Sequence, residues 1–148
     1  MKLPTWREFR EEVGGYDGPP ITVNAQIDRV CFANALVDCG CLSYGLISER
    51  FVEKHHLECI PIAPRPIHGY DGPSGNKISH IARMSLDVGG NWQPCVYFYV
   101  APRIHNHDMI LGLPWLKHQA AKIDAQGSRL EFQSGLMVPS ASHQSWIL

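Results

Sequence analysis

The residue best suited to chemistry is Asp38, which follows an apolar run and stands two positions before a glycine, in the segment Ala35-Leu36-Val37-Asp38-Cys39-Gly40. A lone aspartate in water is a weak base. Two carboxylates held about 3 Å apart cannot both ionise, so the pair shares one proton. One carboxylate can then activate a water molecule while the other donates a proton to a carbonyl oxygen. Asp38 is therefore the candidate catalytic group, and amide hydrolysis is the candidate reaction.

Three further features of the sequence would position and enclose such a carboxylate. Gly40 lets the main chain of the Asp38 turn approach a partner closely, because glycine has no Cβ. Ile110 and Leu111 precede Gly112, which would let their strand pass close under the Asp38 loop. A glycine-rich hairpin tip would close over a substrate and exclude water. The residues of this tip are Tyr70, Asp71, Gly72, Pro73, Ser74 and Gly75.

The elements that must hold these residues are mostly short strands. The 11 prolines and 13 glycines indicate many turns and a β-rich domain. Alternating apolar and polar residues predict strands at 21–27 and 30–37, joined by a turn at Asp28-Arg29. Pro61, Pro64 and Pro66 predict an extended, irregular run, because proline donates no ladder hydrogen bond. Further strands are predicted at 81–88, 92–100, 109–112, 122–124 and 129–132.

Three short helices are predicted from their end signals. Thr5 and Glu8 have the spacing of a capping box, and the helix they begin would end at Gly14-Gly15. Ser48 is placed to cap a helix over 49–56. Pro114 would open a helix that runs to about Gln119.

Length, charge and hydropathy set limits on the class of protein. The 148 residues suit one domain, which we divide into an N-terminal helix and loop at 1–20, a main domain at 21–132 and a C-terminal tail at 133–148. A net charge of −1 and the absence of a Lys/Arg run argue against nucleic acid as a partner. The sequence has no apolar run of about 18 residues, which argues against a membrane span.

The cysteines and the N-terminus indicate an intracellular protein. Five cysteines, an odd number, favour free thiols in a reducing compartment. The segment Met1 to Phe9 carries Arg and Glu where a signal peptide would need an apolar stretch, so secretion is not expected.

The ordered set of motifs resembles the protease domain of gypsy-class LTR retrotransposon polyproteins, with the fungal branch most similar. The resemblance is carried by two segments, Ala35-Leu36-Val37-Asp38-Cys39-Gly40-Cys41 and Met109-Ile110-Leu111-Gly112-Leu113-Pro114-Trp115-Leu116. Intermediate features agree in order, among them Leu46-Ile47-Ser48, Gly69-Tyr70-Asp71-Gly72 and Leu130-Glu131-Phe132. The likeness extends over roughly residues 35 to 132.

This resemblance implies a retropepsin-like fold: a mainly β closed barrel or sandwich with one or two short helices, active as a C2 homodimer. It implies an aspartic endopeptidase that processes polypeptides such as a retroelement polyprotein, in the cytoplasm or a virus-like particle. Asp38 would be catalytic, Gly40 would offer backbone to the substrate, and Tyr70 to Gly75 would form the flap. Cys39, Gly40 and Cys41 would form the active-site loop, supported by Ile110, Leu111 and Gly112. No cofactor or metal is implied.

The sequence also favours a dimer independently. The only other Asp-x-Gly is Asp87-Val88-Gly89, which enters a Gly-Gly-Asn turn and is predicted to be structural. A second catalytic carboxylate must then come from a second chain in a symmetric arrangement.

Cys39 is the main departure from the family, which normally carries Ser or Thr at this position. In the family that hydroxyl donates a hydrogen bond across the dimer and braces the two loops, and a thiol is a weaker donor. The alternative reading is therefore a catalytically degenerate dimerisation or peptide-binding module. Redox control through Cys39 or Cys41 is a third possibility.

Other candidate sites are predicted to be structural. The spacing of His55, His56, Cys59 and His68 fits no zinc template, so no metal is expected. The segment His105-Asn106-His107-Asp108 is predicted to be a solvated loop. Trp115 and Leu116 are predicted to lie in the core.

Overall fold

A computed structural model describes residues 1–67 and 77–141 of the chain. Within these residues the chain forms ten strands and three short helices, which confirms the predicted mainly β class. The helices are α1 (Trp6–Glu12), α2 (Glu49–His55) and α3 (Leu113–His118). The strands are β1 (Thr22–Ile27), β2 (Cys31–Val37), β3 (Gly45–Ser48), β4 (Glu58–Arg65), β5 (Ile78–Val88), β6 (Asn91–Ala101), β7 (Met109–Leu111), β8 (Ala121–Asp124), β9 (Arg129–Phe132) and β10 (Met137–Pro139).

The first hairpin, β1 and β2, forms as predicted and leads into the candidate catalytic segment. The strands are antiparallel, with Thr22 opposite Leu36. Asp28 and Arg29 form the turn with φ angles of 52° and 59°, the left-handed conformation that a tight hairpin turn of this kind requires. Alternate residues of β1, namely Val23, Ala25 and Ile27, point into the core, so the period-two pattern fixes which face is buried.

Six strands close into a barrel. The large sheet has the order β1-β2-β7-β3-β6-β5-β4, and β1 also pairs with the end of β5, so β1, β2, β7, β3, β6 and β5 form a ring. The short strand β7 lies between β2, to which it is parallel, and β3, to which it is antiparallel. Met109 and Leu111 pack into the main core, while Ile110 packs into a smaller cluster with Cys41 and Leu46.

The expectation of an irregular run at the prolines is wrong in part, because residues 58–65 form strand β4. This strand pairs with the first half of β5, with Glu58 opposite Arg83, and its register shifts between Pro61 and Arg65. It lies at the end of the sheet order, so a proline there need not interrupt a second ladder.

The β5–β6 hairpin turns at Gly89 and Gly90, whose φ angles are 58° and 105°. The Gly90 amide donates to Asp87 Oδ1 at 2.7 Å. Asp87 therefore stabilises this turn, as predicted for the second Asp-x-Gly.

A second sheet of three strands, in the order β10-β9-β8, packs against the barrel together with α3. Trp115 of α3 is fully buried and Leu116 nearly so, as predicted. Strand β10 lies within the segment predicted to be a tail, and its Val138 is buried against Gly89. This part of the segment therefore contributes to the core.

Helices α1 and α2 begin at the predicted caps but differ in how they pack. In α1 the Glu8 amide donates to Thr5 Oγ1, and the Thr5 amide donates back to Glu8 at 3.1 Å, which completes the capping box. These bonds from Thr5 hold the pKa of Glu8 below its ordinary value. Helix α1 buries no residue, whereas α2 buries Phe51 and Val52. No helix in the described ranges is long and apolar enough to cross a bilayer.

Candidate active site

Asp38 lies directly after β2, where the backbone fixes it in three ways. Its amide donates to the Leu111 carbonyl at 3.0 Å, its carbonyl accepts from the Cys41 amide at 3.1 Å, and its Oδ1 accepts from the Gly40 amide at 2.9 Å. The side chain is half-buried, while Cys39 and Gly40 at the tip of the turn are exposed. The carboxylate is therefore held in one orientation at the surface of the single chain.

The strand carrying Ile110 and Leu111 passes directly under the Asp38 loop. A Cβ on Gly112 would lie 1.8 Å from the Ser43 carbonyl oxygen and 3.0 Å from that of Cys41. The Gly112 amide donates to the Tyr44 carbonyl at 3.1 Å, and the Leu113 amide donates to that of Cys41 at 2.8 Å. The close approach expected at Gly112 is present, and it ties the loop to the start of α3.

The two cysteines of the loop differ in environment. Cys41 is buried, and its thiol donates to the Ser43 carbonyl at 3.7 Å. Burial, and secondarily the nearby Asp38 carboxylate, raise the pKa of the Cys41 thiol, although the bond to Ser43 opposes this. Cys41 is therefore an uncharged structural thiol, which does not suit a nucleophile. Cys39 is exposed, and within the described part of the chain its thiol forms no disulfide or hydrogen bond.

A groove of about 280 Å³ runs beside the loop. Leu42, which is exposed, and Tyr44 form one side, while Arg65 and Tyr99 form the other. The Arg65 guanidinium lies 5.7 Å from the centre of the Tyr99 ring, a cation–π contact that fixes this wall. The groove is open and has room for side chains of an extended peptide.

The flap residues Tyr70 to Gly75 lie outside the described residues, so their role stays a prediction. The described chain ends on one side of them at Ile67, after β4, and resumes at Lys77, before β5. In these described ranges no group of three or more His, Cys, Asp or Glu side chains is arranged to hold a metal ion.

Sequence reasoning missed a polar chain behind the loop. The buried Trp115 indole donates to Gln93 at 2.8 Å, the Gln93 amide donates to the Tyr44 hydroxyl at 3.0 Å, and that hydroxyl lies 2.7 Å from His118 Nδ1. These bonds connect α3 to Tyr44, whose carbonyl also accepts a hydrogen bond from the Gly112 amide. No local pattern marks them, because their members come from three distant parts of the sequence.

The closed barrel, with an Asp-x-Gly turn held by a strand from far along the chain, defines the class as retropepsin-like. Two solved structures share this fold. The retroviral protease-like domain of Ddi1 from Leishmania major has a TM-score of 0.61 and 22% identity, over 84% of this chain and 95% of that one. The EIAV protease bound to the inhibitor HBY-793 has a TM-score of 0.53 and 16% identity, over 72% of this chain and 95% of that one.

A family model identifies the chain more closely. Residues 34–138 match the PEG10/RTL1 protease domain, and the chain belongs to that family. The expected likeness to retropepsin-like domains is thereby confirmed, while the fungal branch stays a prediction. No curated protein matches the chain.

Proposed function

We propose that two copies of this chain form an aspartic endopeptidase in which each copy contributes Asp38. The observation that carries the proposal is the position of Asp38, a half-exposed carboxylate held by Leu111, Gly40 and Cys41 in a chain of a protease-domain family. The division of roles follows from chemistry. A pair of such carboxylates shares one proton, so one member activates water and the other protonates the scissile carbonyl.

The hydrogen-bond pattern of Asp38 suits this role. Oδ1 accepts the Gly40 amide, which fixes the plane of the carboxylate. Within residues 1–67 and 77–141, no group donates to Oδ2, so this oxygen is available to a water molecule or to a second carboxylate. Because the proposed chemistry needs two carboxylates that share one proton, the proposed activity requires the second subunit.

Extended polypeptides are the proposed substrates. The groove between Leu42 and Tyr99 adjoins the Asp38 loop, and its mixture of apolar and polar walls suits side chains next to a scissile bond. Tyr70 to Gly75 are the proposed flap. We also propose an intracellular setting, since all five cysteines are unpaired within the chain.

The test is incubation of the purified protein with an unstructured polypeptide at pH values of about 4 to 7, with cleavage expected to be fastest at mildly acidic pH, where a coupled carboxylate pair carries one proton. We expect cleavage by the natural protein, and a loss on the order of a thousandfold or more for Asp38→Asn. Sedimentation of Asp38→Asn should give the same mass as the natural protein. Cleavage retained by Asp38→Asn contradicts the assignment.

A catalytically degenerate dimerisation or peptide-binding module is the second candidate, and Cys39 is the observation that favours it. A thiol replaces the hydroxyl that normally braces this loop in the family, and a thiol is a weak donor. Cys39→Ser distinguishes the two. A natural protein without cleavage and an active Cys39→Ser variant would establish degeneration, whereas cleavage by both would make the thiol a tolerated substitution.

A further inference from the structure

At the opposite end of β2 and β7 from Asp38 lies a second concave surface, which we call the basic pocket. It has a volume of about 880 Å³ and is bordered by α2, by the start of β2 and by the loop at 102–108. Asn34 and Asp108 lie at this end of the two parallel strands, and Asp38 lies at the other. Asn34 and Asp38 are four positions apart along the chain, about 13 Å at the usual rise per residue. The basic pocket is therefore separate from the proposed active site.

The charge of the basic pocket differs from that of the molecule. The chain has 13 Lys and Arg against 14 Asp and Glu. Three of these cations, Arg50, Lys54 and Arg103, line the basic pocket, and Asp108 is the only carboxylate among the described residues that border it. Asp108 also stabilises the local structure. Its Oδ2 accepts a hydrogen bond from the backbone amide of Asn34 at 2.9 Å, and its carbonyl accepts one from the backbone amide of Ser48 at 2.9 Å. An anion would meet a net positive surface here.

The basic and acidic residues of helix α2 lie on different faces of the helix. Arg50 and Lys54, four residues apart, face the basic pocket, whereas Glu49 and Glu53 line a different cavity on the other side of the helix. Like charges four residues apart destabilise a helix by a few tenths of a kcal/mol, so the pairing of Arg50 with Lys54 does not itself stabilise α2. It concentrates positive charge on the side of the basic pocket.

The three cations have no acidic partner in the part of the chain that the structure describes. Arg83, Lys122 and Arg129 elsewhere each pair with a carboxylate, but Arg50, Lys54 and Arg103 form no such pair. All three are exposed, and the imidazole rings of His55 and His105 add further hydrogen-bonding groups beside them. Their charges are therefore available to a ligand.

The basic pocket also has an apolar wall. Phe32, whose side chain is 63% exposed, and Ile104 border it together with the cations. An exposed aromatic ring beside unpaired guanidinium groups suits a ligand that combines carboxylates with an apolar side chain. We propose that the basic pocket binds an acidic segment of a polypeptide, in which glutamate or aspartate flanks an apolar residue.

A peptide fits these observations better than a nucleic acid does. Affinity for nucleic acid rises with the number of phosphates neutralised along the backbone, which requires a long basic track. Here three cations are confined to one concavity in a chain of net charge −1. The proposed binding does not depend on catalysis, because no residue of the Asp38 loop borders the basic pocket.

The test is fluorescence anisotropy at low salt and neutral pH, with the Asp38→Asn protein so that the probe stays intact. The probe is a short labelled peptide rich in glutamate around one leucine, and its counterpart carries glutamine in place of glutamate. We expect only the acidic peptide to bind. Its affinity should fall with added salt, because the screening length shrinks from about 10 Å at 0.1 M to 3 Å at 1 M.

Variants assign the binding to the basic pocket. Arg50→Gln/Lys54→Gln and, separately, Arg103→Gln should weaken binding by about threefold to tenfold, as expected for loss of exposed ion pairs. The control, Lys2→Gln/Lys117→Gln, removes the same charge from exposed positions elsewhere and should leave the affinity unchanged. All variants should keep their melting temperatures, since the replaced side chains are exposed.

Three outcomes would overturn the proposal. The first is no detectable binding of the acidic peptide, or equal binding of the glutamine peptide. The second is an affinity that falls equally in the control variant, which would reflect net charge alone. The third is tighter binding of a single-stranded oligonucleotide with the same dependence on Arg50 and Lys54, which would assign the basic pocket to nucleic acid.

Discussion

At Gly112 the backbone of one segment lies against the backbone of another, so no side-chain rearrangement can make room for a methyl group. The atoms nearest to an added Cβ are the carbonyl oxygens of Ser43 and Cys41. We expect Gly112→Ala to lower the free energy of unfolding by about 3 kcal/mol, at the upper end of the cost of overpacking. Urea denaturation measures this loss.

The matched control is Gly18→Ala, because a Cβ at Gly18 meets no atom within 4 Å. Its free energy of unfolding should change by less than about 0.5 kcal/mol, as for most surface substitutions. If both variants are equally stable, the backbone approach at Gly112 is not as close as the structure indicates.

At the residue scale, the sequence predicts those functional residues that a contiguous pattern of neighbouring residues indicates. Asp38 and Gly112 are recognisable because an apolar strand followed by a glycine-containing turn is a contiguous signal. The partners of these residues are not recognisable. Nothing local to Tyr44 or Gln93 indicates that their oxygen atoms accept hydrogen bonds from Gly112 and Trp115 respectively, since these bonds exist only after the chain has closed.

The two capped helices provide a comparison at the scale of the element. Ser48 Oγ accepts the Phe51 amide at 3.1 Å, and the helix that it caps packs Phe51 and Val52 into the core. We expect Ser48→Ala to lower the free energy of unfolding of the whole domain by about 1 kcal/mol. Chemical denaturation followed by tryptophan fluorescence measures it.

Thr5→Ala is the counterpart in α1. It removes the cap of a helix that buries no residue, so the global free energy of unfolding should not change. The loss should instead appear locally, as faster hydrogen exchange of the Glu8 amide, which donates to Thr5 Oγ1. A global loss equal to that of Ser48→Ala would show that α1 is part of the cooperative unit.

Element types were predictable wherever local signals agreed. The caps at Thr5 and Ser48 and the alternation of β1 correctly give two helices and a strand. The failure at β4 has a physical reason, since a sequence does not reveal which strand lies at the end of a sheet, where proline is tolerated. Strand β10 was missed because three residues carry too little periodicity to be recognised.

At the scale of the whole molecule, the proposed dimer makes a prediction about thiol reactivity. Cys39 and Cys95 are both exposed in the single chain. If two Asp38 loops meet at a twofold axis, Cys39 becomes covered and Cys95 does not. Alkylation of Cys39 should therefore slow severalfold as protein concentration rises, and mass spectrometry of the labelled peptides measures this.

Cys95 is the internal reference, and its rate should be independent of concentration. The buried Cys41, whose pKa is raised chiefly by burial, should react slowly at every concentration because the thiolate is the reactive form. Equal rates for Cys39 and Cys95 at all concentrations would contradict an interface at the Asp38 loop.

The position of β7 between β2 and β3 has a consequence for biosynthesis. A ribosome translates β2 and the residues of the Asp38 turn early. Strand β7, which lies between β2 and β3 and whose Leu111 carbonyl accepts the hydrogen bond of the Asp38 amide, is translated much later. Such non-local pairing is slow, because a long loop must close before any contact compensates for the lost entropy. A growing chain therefore cannot complete the hydrogen bonding of its Asp38 turn until β7, the last of the six barrel strands, has emerged. Any activity of that turn is delayed until all six strands have been synthesised.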